Sequence, residues 1–516
     1  MHAEIGRSML EGSVLYVDRI DVNPPLIFYL YAALAYVAGL FEADFGRSFH
    51  LLVGVQVLYS ALALYWLLRE PRPSAALWLV IATWVSFSVL VLAYVDFGQR
   101  EHLFMLGYVP WLYSRERRYS GGDIHWAPGL VRGAAGTLSA LLKPHFLVVA
   151  VALELWMLCR TRCWSALRSI DVCVFGLGVT AYLGHFAFLP MAVQHAYLGR
   201  WLPFIVGHYG AFNCNLVDLL WRGLVPLVAI VAGVGFFAAR GVVATWRLRC
   251  EISALGTMLG IGIFLIQHKG WGYHLYPALG FLSLHVSTLL AVLFEQANCN
   301  PRCEHSARGL LGRAMVAGAS VAVITGAALA HGVALRNFSA EVQRVARLAD
   351  VIEGHSLKGD AILFIATGVD PGYPALMRLN RRPGSRYLHA FPIPMLYRDV
   401  RTQVHGFPYR MRTQQPPAEE AFLAELGRDV IRYRPALIFV CMRDPCDFCP
   451  SGFRVYDYLN VVGWQEEYMK DYQLLRTIGR FAVYRRAENT GGVGAPDSSI
   501  HDKIPVVRRA GSRARL

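Results

Sequence analysis

The chain has 516 residues, of which 55% are hydrophobic and only 17% charged, a balance too apolar for an ordinary water-soluble protein. Its formal net charge of +14 would suggest a nucleic-acid partner in a soluble chain. Much of the Lys and Arg, however, lies in short stretches between apolar runs, where it sets membrane orientation, so composition points to a polytopic membrane protein and away from nucleic acid.

No basic, apolar and cleavage regions of a signal peptide follow Met1, so insertion is expected to rely on internal spans, or the true start lies upstream. Residues 1–48 read as a first external loop. Within it the apolar run from Pro24 to Phe41 starts at a Pro-Pro pair and ends at Glu42 and Asp44, which predicts a helix lying along the membrane interface. Apolar runs near 49–68, 75–95, 102–113, 129–142, 143–158, 171–193, 222–239, 252–267, 273–294 and 314–335 can cross, or nearly cross, a bilayer. They predict an all-α polytopic bundle of about ten spans over residues 49–336.

Basic residues recur in every second connection: Arg69 and Arg72; Arg115, Arg117 and Arg118; Arg160, Arg162 and Arg168; Arg240, Arg247 and Arg249; Arg302, Arg308 and Arg313. Those connections are expected in the cytoplasm. The alternate ones, carrying DFGQREH, KPHF, FIVGHYGAFN and QHKGWGYH, then face outward from the inner (plasma) membrane, together with everything after Arg336. There the pattern turns soluble. An amphipathic helix near Ala340 to Glu353, a strand from Asp360 to Ala366, a helix from Ala418 to Arg434, a strand from Ala436 to Cys441 and two short strands within Leu474 to Arg485 predict a small α/β periplasmic domain over 337–487. Residues 488–516 lack apolar periodicity and read as a disordered basic tail. Of the ten cysteines, Cys446 and Cys449 are expected to pair as a structural disulfide, while Cys299 and Cys303 lack the second pair that a zinc site needs.

The chemistry concentrates at the outward ends of the apolar runs. Asp96-Phe-Gly-Gln-Arg-Glu-His102 holds carboxylates, a guanidinium and an imidazole within seven residues, Lys143 stands before the helix-interrupting Pro144 and His145, and Gln267-His-Lys-Gly-Trp-Gly-Tyr-His274 gathers His268, Lys269 and His274. The first two alone read equally as an interface anchor, an ion pair or a snorkelling lysine, whereas in the third an aromatic belt explains Trp271 and Tyr273 but not the cations. Together they suit a lipid-linked phosphate: Arg100, Lys143 and Lys269 would neutralise it and help it leave. Nearby carboxylates (Glu4, Asp18, Asp21, Asp96) could take a proton from an attacking hydroxyl or hold a divalent cation such as Mg²⁺ or Mn²⁺. Neither a Walker A loop, HExxH nor GxSxG is present.

The run Ala3-Glu4-Ile5-Gly6-Arg7-Ser8-Met9-Leu10, with Gly12-x-x-x-Tyr16 and Asp21-Val22-Asn23-Pro24-Pro25-Leu26 after it, resembles the first external loop of the polyprenyl-phosphate-dependent glycosyltransferases of the GT-C class, which include the bacterial aminoarabinose transferases and the protein O-mannosyltransferases. The resemblance covers roughly residues 1–335. It implies transfer of a sugar from a polyprenyl-phosphate donor to a lipid, glycan or protein acceptor on the outer face. Asp96 is similar in placement to a second external acidic residue of that class, and Lys143 to its helix-break lysine. The class also carries a first transmembrane helix and an acidic residue ahead of the position matched by Glu4, so this chain is expected to be impaired without them. Val22-Asn23 stand where the aminoarabinose enzymes have Glu-Lys. The expected site is therefore Asp96, Glu4 and Glu101 for catalysis, Arg100, Lys143 and Lys269 for the donor phosphate, and His102, His145, His268, His274 and Asp21 for substrate, with no cofactor beyond the divalent cation. A transporter and a catalytically inactive membrane scaffold are the alternatives, the first disfavoured because the charges stay at one edge.

Overall fold

The computed structural model describes residues 2–69, 75–91, 97–222, 225–238, 244–299, 342–400, 406–442 and 450–487. The apolar run at 314–335, the cysteines Cys303, Cys446 and Cys449, the tail from 488 and Asp96 lie outside the described residues.

Helices dominate up to residue 299: α1 (His2–Leu10), α2 (Leu26–Leu40), α3 (Phe45–Leu68), α4 (Ala75–Ser86) with a π turn at Phe87–Val91, α5 (Arg100–Tyr119), α6 (Trp126–Ala140), α7 (Pro144–Thr161) and α8 (Ile170–His185). The short α9 (Met191–Gln194), a π turn at His195–Trp201, α10 (Leu202–His208) and α11 (Leu216–Arg222) follow, then α12 (Val225–Ala238), α13 (Ala244–Gln267) and α14 (Tyr276–Cys299). Among the described residues, five segments are long and apolar enough to cross a membrane: Phe45–Leu68, Pro144–Thr161, Ile170–Phe188, Trp246–Gln267 and Gly272–Val292. Shorter apolar helices cover Leu26–Leu40, Leu77–Val89 and Val225–Phe237.

The helix α5 is the axis of this bundle, buried along most of its length. Its close neighbour is α6, and glycine makes the approach possible. A Cβ on Gly107 would come within 2.0 Å of Ser139 Oγ, and one on Gly136 within 2.6 Å of the Trp111 ring. At the far end of α5 the basic residues are not all loop charges. Arg115 is fully buried and donates to Glu154 at 2.8 Å, Asp171 at 3.3 Å and the Ala166 carbonyl at 2.8 Å, while Arg249, inside α13, meets Glu116 at 3.2 Å. These two arginines neutralise carboxylates within the bundle, a role that spacing along the chain does not reveal.

From residue 342 the chain forms an α/β unit. Helices α15 (residues 342–355), α16 (Gly372–Leu379), α17 (Pro392–Leu396) and α18 (Pro417–Tyr433) accompany strands β1 (Ala361–Ile365), β2 (Arg382–Pro383), β3 (Leu437–Cys441), β4 (Tyr472–Ile478) and β5 (Phe481–Arg486). The sheet order is β2-β1-β3-β5-β4, with β1 parallel to β2 and β3, and β5 antiparallel to both β3 and β4. The central strands β1 and β3 are nearly unbroken apolar runs, buried on both faces. The hairpin β4–β5 turns at Gly479, whose φ of +54° favours glycine.

This unit is stapled to the N-terminal segment and to the bundle. The Ile20 amide donates to the Arg386 carbonyl at 2.9 Å beside an isolated bridge to Tyr387, Arg7 bonds to Asn380, and Arg19 Nη1 reaches the Tyr433 hydroxyl at 3.2 Å. Arg200, in the turn after α9, grips Glu425 of α18 at 2.7 and 3.1 Å. The loop between α1 and α2 is thereby clamped between bundle and sheet.

Candidate functional site

The site is built where three helices begin at the same end of the bundle. Lys143 precedes Pro144, whose ring excludes a helical conformation from the residue before it, and its φ of −146° and ψ of 139° are extended as that rule requires. The extended backbone turns the ammonium inward, where it pairs with Glu101 in the first turn of α5. His274, in the single turn Gly272–Leu275 leading into α14, adds its Nε2 at 3.3 Å from Lys143 Nζ and 3.6 Å from Glu101 Oε1. The Tyr273 ring lies 5.6 Å from the same ammonium. Lys143, Glu101 and His274 are all buried.

A second group joins it through Arg100. Asp21 and Asn23 precede the Pro24-Pro25 start of α2, and the carboxylate folds back on its own chain: Asp21 Oδ1 accepts from the Asn23 backbone amide at 2.9 Å and from its side-chain amide at 2.6 Å. The remaining groups of Asn23 are used as well. Its Nδ2 lies 3.0 Å from His2 Nε2, and its Oδ1 accepts from Arg100 Nη1. The network fixes the amide's orientation and makes His2 Nε2 an acceptor, so the ring is neutral. Burial, with Arg100 and Lys143 adding to it, lowers the His2 pKa well below its ordinary value. Burial also raises the Asp21 pKa, against the opposing effect of the Asn23 hydrogen bonds and of Arg100.

Several polar atoms here are buried with no hydrogen-bond partner among the described residues: Asp21 Oδ2, Glu101 Oε2, Arg100 Nε, His274 Nδ1 and His145 Nε2. Leaving one such group without a partner costs on the order of 1–3 kcal/mol, a cost that water or a polar ligand atom relieves.

The other residues singled out from sequence lie differently. His102 turns back to accept from the Gly98 amide at 3.2 Å and meets the Phe97 ring edge-on. Lys269 is held by the Tyr209 carbonyl at 2.7 Å and Asn213 Oδ1 at 2.6 Å, with the Tyr209 ring 4.1 Å away, and burial beside Arg398 pushes its pKa down to about 8. It therefore secures the turn at 209–213, whose Tyr209 also senses Arg100, Asp21 and Glu101. His268 takes a left-handed φ of +57° in the turn after α13. Glu4 pairs with Arg7 at 2.8 Å, and burial outweighs that pairing to raise its pKa. His2 and Asn23, which lie in reactive segments of the sequence, and Tyr209 join the residues singled out individually as parts of the site. The spacing Asp21-x-Asn23 before two prolines was the available signal for Asn23.

Among the described residues no group of three or more His, Cys, Asp or Glu side chains gathers as a metal ion requires. Glu101 faces an ammonium and one oxygen of Asp21 an amide. No protein-family model matches the chain, and no curated protein sequence matches it.

Proposed function

We propose that this chain is an integral membrane glycosyltransferase that moves a sugar from a polyprenyl-phosphate carrier to a lipid, glycan or protein acceptor. The observation that carries the reading is the buried meeting of Arg100 and Lys143 with Asp21, Glu101 and His274 at one end of an apolar bundle. A phosphate ester held at a membrane edge needs cations to accept the departing charge, and a hydroxyl acceptor needs a carboxylate or imidazole nearby to take its proton. Both sets are within reach of one another here, and buried charge in a membrane-type fold is retained for function more often than for stability. On this reading the chain has about ten spans plus an interface helix, and the Arg-rich connections are cytoplasmic. The site and the α/β unit then face outward from the inner membrane. The unit's clamp on the loop carrying Asp21 gives it a structural part in the site.

The test is turnover. Purified protein in proteoliposomes should release polyprenyl phosphate from at least one member of a panel of labelled polyprenyl-phosphate sugars, and Arg100→Ala and Lys143→Ala should each suppress release. No protein-dependent release from any hexose or pentose donor would reject the reading. Alkaline phosphatase fused after Arg486 should be active in whole cells, and an inactive fusion would reverse the orientation.

A further inference from the structure

Five elements far apart in the chain address a single carboxylate. Asp21 is fully buried, and Arg100 of α5, Tyr197 of the turn after α9, Tyr209 of the following turn and Tyr373 of α16 all stand within electrostatic reach of it, as does Tyr16 on its own segment. His2 of α1 reaches it through Asn23. One oxygen, Oδ1, is held twice by Asn23, and Asn23 is itself anchored by Arg100 and His2. The other oxygen, Oδ2, is buried with no hydrogen-bond partner among the described residues. The backbone one residue earlier is pinned by the Ile20 amide to the Arg386 carbonyl.

We infer that Asp21 is the general base of the transfer, taking the proton from the acceptor hydroxyl on Oδ2. The inference rests on the glycosyltransferase reading above. The acceptor oxygen bonds to the anomeric carbon as its proton passes to Asp21, the bond from that carbon to the phosphate oxygen breaks, and the electron pair leaves with polyprenyl phosphate, stabilised by Arg100 and Lys143. Asp21 then releases the proton to water or to the departing phosphate, and the carboxylate is restored. A carboxyl whose pKa is raised by burial suits this task, since a base is most effective when its pKa approaches the working pH.

The competing account is that Asp21 only shapes the turn before α2. Asp21→Asn separates the two, because an amide oxygen still accepts from Asn23 while the proton acceptor is lost. The expected result is a fall in transfer rate by about 10² to 10⁴, with donor KM within about threefold of wild type as a purely chemical role requires. Asp21→Glu should recover part of the rate. Asn23→Ala, which frees the carboxylate but leaves it present, should cost less than Asp21→Asn. If Asp21→Asn does not fold, labelling of the wild type by dicyclohexylcarbodiimide, read by mass spectrometry, decides the matter. Asp21 should modify in step with loss of transfer, with a pH midpoint above the ordinary carboxylate range. Asp21→Asn retaining more than half the wild-type rate, or modification of Asp21 without loss of transfer, overturns the inference while leaving the glycosyltransferase reading intact. A wild type that turns over no polyprenyl-phosphate sugar removes that reading itself.

Discussion

Lys143 and Glu101 form a buried ion pair where α7 and α5 begin, forty-two residues apart in the chain, with the His274 ring against both. A pair taken out of water is costly to break from one side, because the survivor is left as an uncompensated charge. Glu101→Gln and Lys143→Met should each cost about 3–5 kcal/mol of folding stability, and the double replacement distinctly less than their sum. Unfolding of the four proteins in mild detergent measures the coupling. Strictly additive losses would mean that the two groups do not depend on one another in the folded protein.

The first loop depends on a helix crossing that only glycine permits. A Cβ on Gly6 of α1 would stand 2.6 Å from the Ala32 backbone nitrogen and 2.7 Å from the Tyr31 carbonyl carbon of α2, and backbone cannot swing aside as a side-chain tip can. Gly6→Val should therefore cost at least about 1–3 kcal/mol and displace His2 from Asn23. Gly39→Val, on α2 with nothing within 4 Å of the added atom, is the control and should leave the melting midpoint near wild type. Equal midpoints for both would refute the close crossing.

Sequence periodicity located the elements better than it located their partners. The runs that predicted α3, α7, α8, α12, α13 and α14 match helices, and the expected strands at 360–366 and 436–441 match β1 and β3, because local apolar patterning decides such elements. The helix α1 escaped: nine residues inside a segment read as loop, buried all round from Ala3 to Gly6, carry too little periodic signal. Pairing was illegible for a different reason. Nothing local in the chain joins Lys143 to Glu101, Asn23 to Arg100 or Ile20 to Arg386; those contacts exist only once α5, the first loop and the sheet are packed. Lys269 adds a further case, since a cation beside glycines and aromatics reads as a ligand group, while its bonds to the Tyr209 carbonyl and Asn213 Oδ1 depend on the fold.

At the opposite end of the bundle Arg115 ties α5 to α7 and α8 through Glu154 and Asp171. Its replacement by Met leaves both carboxylates without their buried cation, and Arg115→Met should destabilise the protein by about 3–5 kcal/mol. Arg118→Met removes an ion pair whose partner, Asp123, is 94% exposed, and should cost no more than about 1 kcal/mol. Thermal unfolding of the two variants side by side distinguishes a structural lock from an orientation signal. Similar small losses would return Arg115 to the role of a loop charge.

The clamp between bundle and α/β unit carries a pH dependence of definite sign. Burial alone would raise the Glu425 pKa, but hydrogen bonds from Arg200 and Tyr387 outweigh it, and the value lies below that of an ordinary glutamate. A carboxylate depressed on docking contributes stability that is fully present above its undocked pKa and is lost as pH falls through its docked value. Docking should hold from neutral pH upward and weaken only in the acid range below the usual glutamate pKa. Hydrogen exchange of residues 195–201 and 417–433, compared between about pH 7 and the lowest pH at which the bundle stays folded, reads this directly after correction for intrinsic exchange rates. Glu425→Gln should show loosened contacts already at neutral pH and lose most of the pH response. If wild type and Glu425→Gln exchange alike at both pH values, the Arg200–Glu425 bridge does not hold the unit in place, and the contacts of Arg7, Arg19 and Ile20 with the unit carry the docking instead.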